Sequence, residues 1–204
     1  MEVNNLGLVF DRTLSWDAHV TLISRRCTGM LTGLSHVRHY LPDGVITTLV
    51  SALVLSQVRY CLSVYGNGSQ KNFNKLQKII NFGARVIFGR RKFDHVSDLR
   101  ERLGWLQARQ LAELCTLCLT RKVLVSGEPE ALASVLHVNG DLRQRRTRQD
   151  RLLYVPRSRT EAGKRRFRSR APGLYNCLPA GTAELGPRSF SRQLKRQMLA
   201  AAAE

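Results

Sequence analysis

Apolar positions open the chain as a short run and then settle into a helical rhythm. Leu6, Leu8, Val9 and Phe10 cluster near the N-terminus. The pattern predicts a short strand over Val3 to Phe10, with Gly7 permitting a bend or a close approach. Val20, Ile23, Cys27, Met30, Leu31, Leu34, Val37 and Leu41 then recur at steps of three and four, the signature of a long amphipathic helix. Ser15 is its expected N-cap, and Asp17 suits the positive helix start. Pro42 and Asp43 break that helix and begin another. Val45, Ile46, Leu49, Val50, Leu53, Val54, Val58, Cys61 and Leu62 give the second a wider apolar face, so it is expected to be central, ending at Gly66 and Gly68.

A third helix is expected from Ser69, burying Phe73, Leu76, Ile79, Ile80, Val86 and Ile87 and stopping at Gly89. Ser97 and Asp98 precede a short helix to Leu103. A long one follows over Gln107 to Val125, stopped by Gly127, and Pro129 opens a short one through Leu136. Residues 15–137 are expected to form one helical lobe that buries Val20, Ile23, Leu34, Leu49, Leu53, Leu76, Ile80, Leu111 and Leu117. After Gly140 the periodicity weakens. Leu152 to Val155 reads as one strand ended by Pro156. A helix from Gly163 would be interrupted by Pro172 and Gly173, and a last helix from Ser189 would turn Phe190 and Leu194 inward. The fold class is mainly α, with a basic, partly irregular α/short-β C-terminal segment. There is no internal repeat.

Charge changes this picture. The 204 residues hold 33 Lys and Arg against 15 Asp and Glu, a net charge of +18. Residues 1–88 carry 9 basic and 4 acidic residues, residues 89–140 carry 8 and 6, and residues 141–204 carry 16 and 5. A field of that size favours polyanions, with nucleic acid ahead of an anionic membrane surface. Between Asp141 and Arg170 there are 12 Lys and Arg with 3 acidic residues. That stretch is either a solvated tail or a partly folded basic surface, and the recurrence of Leu152, Leu153, Val155, Phe167 and Leu174 favours the surface. Five Cys, an odd count without framework spacing, and an N-terminus unlike a signal peptide argue for an intracellular protein in the nucleus or cytoplasm, not a secreted one. The longest uncharged apolar stretch, between Asp43 and Arg59, is too short to span a bilayer.

The candidate chemistry is thin. Cys115 and Cys118 form a C-x-x-C without a second ligand pair, so core cysteines are favoured over a zinc or redox site. His36 and His39 lie one turn apart with Arg38 between them and no carboxylate on the helix face. His19 and His95 stand alone. Asp94, Asp98 and Glu101 come nearest to a carboxylate cluster, but they share their segment with Arg100 and Arg102, and a helix cap with surface ion pairs is the expected role. The sequence carries neither a nucleophile elbow nor a phosphate loop. The expectation is a non-enzyme with no cofactor, metal or small-molecule substrate.

Several strings bear on origin. LGLVFDRTLSW (6–16) resembles the LGV-x-FD-x-x-LSW pattern that follows the polymerase core in non-LTR retrotransposon reverse transcriptases, the jockey-like and chicken-repeat-like LINE elements. HVRHYLP (36–42) is similar to that family's L-x-x-L-R-x-x-LP step, and QVRYCLSVYGNGS (57–69) to its Y-C-x-x-V-W-G segment. LQKIINFGARVIFGRRKFDHV (76–96) resembles its L-Q-K-x-Q-N-x-A-x-R-I-I-x-G stretch, and LGWL (103–106) its L-x-WL. LLYVPRSRTEAGKRRFRSRAPGLYNCLP (152–179) is similar to its VPR-x-R…F-x-x-x-AP-x-LWN-x-LP ending, and SFSRQLKRQML (189–199) to its final SFK-x-x-LK-x-x-L helix. The order holds over nearly the whole chain. Tyr65 and Tyr175 stand where the family usually has Trp, and the family's Y/F-x-D-D metal motif does not occur.

The resemblance implies an organisation and a role. Residues 1–14 would be the end of the polymerase palm, 15–92 a thumb-like helical bundle, 93–140 a helical connection and 141–204 a basic tail. The chain would grip template–primer, element RNA or target DNA by backbone contacts, with the upstream palm as protein partner and Mg²⁺ belonging to that palm. A stand-alone transposon-derived nucleic-acid-binding protein and an inert helical remnant are the alternatives. The expected phosphate contacts are Lys71, Lys75, Lys78 and Arg85, then Arg90, Arg91 and Lys92. In the tail they are Arg143, Arg145, Arg146, Arg148, Arg151, Arg157, Arg159, Lys164, Arg165, Arg166, Arg168, Arg192, Lys195 and Arg196. Residues 141–196 are expected to supply most of the affinity.

Overall fold

The computed structural model describes residues 2–142, 150–179 and 181–201, and it is mainly α-helical. The chain packs as two compact units, the first running to Ala112 and the second beginning at Glu113. The division falls inside a helix, so residues 15–137 do not form a single lobe.

In the first unit, the expected single strand is a hairpin of two, β1 (Glu2–Asn5) and β2 (Leu8–Asp11), paired antiparallel with Asn5 opposite Leu8. Leu6 and Gly7 both have positive φ, 48° and 80°. Two such residues in succession make the tight turn whose twist matches paired strands. Gly7 therefore reverses the chain rather than bending it.

α1 spans Asp17–Val37. Ser15 is not its N-cap. Trp16 holds that position with φ 66°, and the Ser15 hydroxyl accepts from the Asp17 N–H at 3.3 Å. The helix buries His19, Val20, Ile23, Cys27 and Leu31, while Leu34 is half-buried and Val37 exposed. A 3₁₀ turn over Arg38–Tyr40 follows.

α2 (Asp43–Val50) runs into a π-helical turn (Ser51–Leu55) and then α3 (Ser56–Arg59); a break at Cys61, φ 52°, leads to α4 (Leu62–Tyr65). Ile46, Val50, Val54, Val58 and Leu62 are all buried, at a strict spacing of four. A regular α-helix carries each fourth residue about 40° past the last. The wider π turn offsets that drift and keeps Val50, Val54 and Val58 on one face. It also corrects the sequence reading: Leu53 is turned outward, 43% exposed, and Leu49 is only half-buried. Gly66 ends α4 where a Cβ would lie 2.3 Å from the Leu62 carbonyl and 2.7 Å from the Ala112 side chain.

α5 (Gln70–Phe88) matches its expected limits and face. The Ser69 hydroxyl accepts from the Asn72 N–H, Gly89 closes the helix at φ 61°, and Phe73, Leu76, Ile79, Ile80, Val86 and Ile87 are buried. α5 packs against α1 and α2. α6 (Ser97–Arg102) sets Leu99 and Val96 against Ala84, with Phe88, Leu103 and Trp105 around them. α7 (Ala108–Ser126) follows and stops at Gly127, φ 70°.

In the second unit, α7 buries Leu114, Leu117 and Val123 with Thr116 and Thr120. Leu111, near the unit boundary, is half-buried. Short helices α8 (Glu130–Ala133) and α9 (Asn139–Leu142) come next. The expected strand over 152–155 is reduced to one bridge, Val138 to Leu153. The Asn176 side chain takes the remaining partners, accepting from the Leu153 N–H at 2.9 Å and donating to its carbonyl at 2.8 Å. An amide so placed substitutes for a neighbouring strand. α10 (Glu161–Arg165) precedes α11 (Phe167–Asn176), which continues through Pro172 instead of being interrupted. Pro172 forfeits one helix hydrogen bond, and it is buried beside Ala171. α12 (Pro187–Ala200) starts two residues earlier than expected, with Pro187 in the first turn. Phe190 and Leu194 are buried as expected, and Tyr175 stacks on Phe190 at 6.3 Å.

Candidate nucleic-acid interface

α1 and α5 lie side by side because each buries one apolar stripe against the other, and their polar edges leave a groove in the first unit. It encloses about 890 Å³. Ser24, Thr28 and Ser35 of α1 form one wall. Ile79, Phe82 and Val86 of α5 form the floor. Six cations line it, Arg38, Lys75, Lys78, Arg85, Arg90 and Lys92, and among the described residues no Asp or Glu does. The structure thus brings together five of the expected contacts and adds Arg38.

These cations differ in what they already hold. Arg38 donates from Nε to the Ile87 carbonyl at 2.8 Å and pairs with Asp43; it ties the end of α5 to the start of α2. Arg85 donates twice to the Asp94 carbonyl, at 3.2 and 3.0 Å. Lys75 donates to the Thr21 hydroxyl at 2.8 Å. Lys71 sits outside the groove, 3.6 Å from an Asp17 carboxylate oxygen, with the lysine largely in solvent and the aspartate half-buried. Lys78, Arg90 and Lys92 are exposed and have no carboxylate partner among the described residues. Arg91 is exposed, and its N–H donates to the Asp94 carboxylate at 2.9 Å. Asp94 therefore closes a turn in the loop, where a surface ion pair was expected. Within α6, Arg102 lies over the Phe88 ring at 5.0 Å, and burial lowers the Arg100 pKa.

Phe93 escaped the sequence reading. It projects from the loop after α5, 89% exposed, and lines the mouth of the groove with the Lys92 ammonium 5.5 Å above its ring. The only trace in the sequence was an aromatic directly after the basic triplet. A second feature missed is the packing of His19. Its ring meets Tyr65 edge-on at 4.8 Å, and Nδ1 accepts from the Val9 N–H at 3.3 Å.

In the second unit, Arg157, Arg159, Arg166 and Arg168 surround a hollow of about 230 Å³ that also contains the Ser158 and Ser169 hydroxyls, 3.2 Å apart. Lys164 is paired with Glu161 at 2.6 Å and holds that carboxyl below its ordinary pKa, and Arg165 donates to the Glu161 carbonyl. Arg192 and Arg196 border a hollow of about 420 Å³ with Thr182 and Gln193, while Arg151 and Lys195 are simply exposed. Arg143, Arg145, Arg146 and Arg148 lie outside the described residues. Cys115 and Cys118 are half-buried in α7, and among the described residues no three His, Cys, Asp or Glu come together in a way that could hold a metal ion. No described helix is long and apolar enough to cross a membrane.

Comparison with protein-family models, with curated proteins and with solved structures finds no match to this chain.

Proposed function

We propose that this chain binds the phosphate backbone of RNA or DNA, as the segment that follows the polymerase core of a non-LTR retrotransposon reverse transcriptase. The observation that carries the binding is the α1–α5 groove, where, among the described residues, six cations and no carboxylate line one surface. Lys and Arg so gathered displace condensed counterions from a nucleic acid and bind it without reading its sequence. The ordered strings from LGLVFDRTLSW to SFSRQLKRQML support the origin. In that setting the chain holds template–primer or element RNA, and the palm with its Mg²⁺ performs the chemistry. The chain alone contributes no catalytic group.

Titration of labelled RNA and DNA at several salt concentrations tests the binding. Six to eight phosphate contacts give a log–log slope of roughly −4 to −6 on a single strand. Weak binding that ignores salt defeats the proposal. Template-dependent primer extension by the purified chain with Mg²⁺ would defeat the non-catalytic role.

A further inference from the structure

We infer that the α1–α5 groove receives an unpaired nucleotide, its base against Phe93 and the apolar floor and its phosphates on Lys78, Arg90 and Lys92. This rests on the nucleic-acid reading above and narrows it to a single strand at this site.

The groove has two chemistries in two layers. Its rim is cationic, and its floor of Ile79, Phe82 and Val86 is apolar. A phosphate has no use for an apolar floor, but the face of a base does. In a duplex those faces are covered by stacking, and the helix offers chiefly phosphates, sugars and base edges. An unpaired base offers its π-face to any aromatic surface, whatever its identity. The volume agrees. About 890 Å³ lies within the range of roughly 300–1,000 Å³ that takes a small ligand, enough for a nucleotide or two.

Phe93 is presented rather than merely left outside. Gly89 turns the chain out of α5 at φ 61°. Arg85 then grips the Asp94 carbonyl, and the Asp94 carboxylate grips the Arg91 N–H. The two anchors flank Phe93 and hold its backbone, so an exposed ring is set at the groove mouth before any ligand arrives. Such preorganisation lowers the entropy lost on binding. The cations divide the same way: Arg38, Arg85 and Lys75 hydrogen-bond to protein groups, which leaves Lys78 and Arg90, and Lys92 from its place over one face of the Phe93 ring, for phosphates. The wall opposite the α5 cations offers the hydroxyl of the exposed Thr28, which donates and accepts alike and favours no particular base.

The test compares a labelled single-stranded oligonucleotide with a blunt duplex of the same length, at one salt concentration, on the full chain and on Phe93→Ala and Phe93→Trp. The wild type should prefer the single strand. Base–aromatic stacking is worth about 1–3 kcal/mol, so Phe93→Ala should weaken single-strand binding on the order of ten- to a hundredfold and leave duplex binding unchanged. Phe93→Trp should retain the preference. Because Phe93 is exposed, all three proteins should melt alike. Equal affinity for duplex and single strand, indifferent to Phe93→Ala, overturns this inference and leaves phosphate binding standing. Binding of neither nucleic acid overturns both.

Discussion

The side-chain amide of Asn72, in the first turn of α5, donates to the main-chain carbonyl of Ser15 at 3.0 Å. They lie 57 positions apart along the chain, and the bond fixes the start of α5 to the turn that launches α1. Asn72 is buried, at 2% exposure. The turn it grips is itself organised by one carboxylate. Asp11 accepts from the Thr13 N–H and hydroxyl, the Ser15 N–H and hydroxyl and the Trp16 N–H, all within 3.0 Å. The groove depends on how α1 and α5 enter it, so this turn sets the site from a distance. Asn72→Ala should cost about 1–3 kcal/mol, since it strips a buried polar contact. Denaturant melts measure it, and an unchanged midpoint would show that the bond is dispensable.

Asp11 should give the chain an acid-sensitive window. Burial pushes its pKa up, but the bonds from Ser15, Thr13 and Trp16 outweigh burial and hold the carboxyl well below its ordinary 3.8. A depressed carboxyl stabilises the fold fully above the unfolded value, and the stabilisation is lost as pH falls below it. Melting temperature should therefore drop between about pH 4 and pH 2 in the wild type. Asp11→Ala should be less stable at neutral pH, by about 1–2 kcal/mol as for a lost cap, and flatter over that acid range.

His19 should act in a higher window. Burial, then the nearby Arg26 charge, lower its pKa from 6.5, so the folded chain resists protonating it. Unfolded chains take up that proton more readily, and stability falls as pH drops below about 6.5 until the folded form also protonates. His19→Gln should remove the slope just below neutral pH and leave the acid transition of Asp11 in place. Parallel melts from pH 8 to pH 2 check it; an identical slope in the variant between pH 7 and pH 5 would assign the effect elsewhere.

Two adjacent residues test the π turn. Val54→Asp places an unpaired charge at a site with no exposure and should cost several kcal/mol, about 3–5. Leu53→Asp, at a side chain 43% exposed, should cost under about 1 kcal/mol. Equal losses would mean that helix 43–59 has regular α geometry and that both positions face the core.

What the sequence disclosed and what it hid divide along the reach of the forces. α5 was legible because Ser69, Gly89 and a three–four apolar rhythm are local signals that agree. The outward turn of Leu53 was not, because a π turn conserves the face that packs on neighbouring helices and has no mark of its own in the string. The hairpin was half visible: Gly7 signalled a change of direction, but the positive φ of Leu6 has no compositional sign. At the site, the basic residues were readable as charges. Which of them were available was not, since Arg38 and Arg85 are held by the carbonyls of Ile87 and Asp94, and pairing with a carbonyl leaves no pattern of charge. Phe93 was overlooked because one aromatic in a loop belongs to no periodicity.

The division between held and available cations can be measured directly. Each of Lys78, Arg90 and Lys92, changed to Gln, removes one phosphate contact and should flatten the log–log salt dependence by about 0.7 per contact on a single strand. Because each side chain is exposed and has no carboxylate partner among the described residues, melting temperature should stay put. Arg38→Gln should do the reverse. Its loss leaves the Ile87 carbonyl without its donor and Asp43 without its pair, so stability should fall while the salt slope is kept at temperatures where the variant stays folded. The tail supplies the comparison: Arg143, Arg145, Arg146 and Arg148 changed together to Gln should flatten the slope by up to about 3 if the basic segment supplies most of the contacts. Anisotropy titrations across salt and thermal melts on the same five proteins decide it. A full slope in the tail variant, with slopes reduced in the three groove variants, would place the affinity in the α1–α5 groove and leave the tail as a solvated appendage.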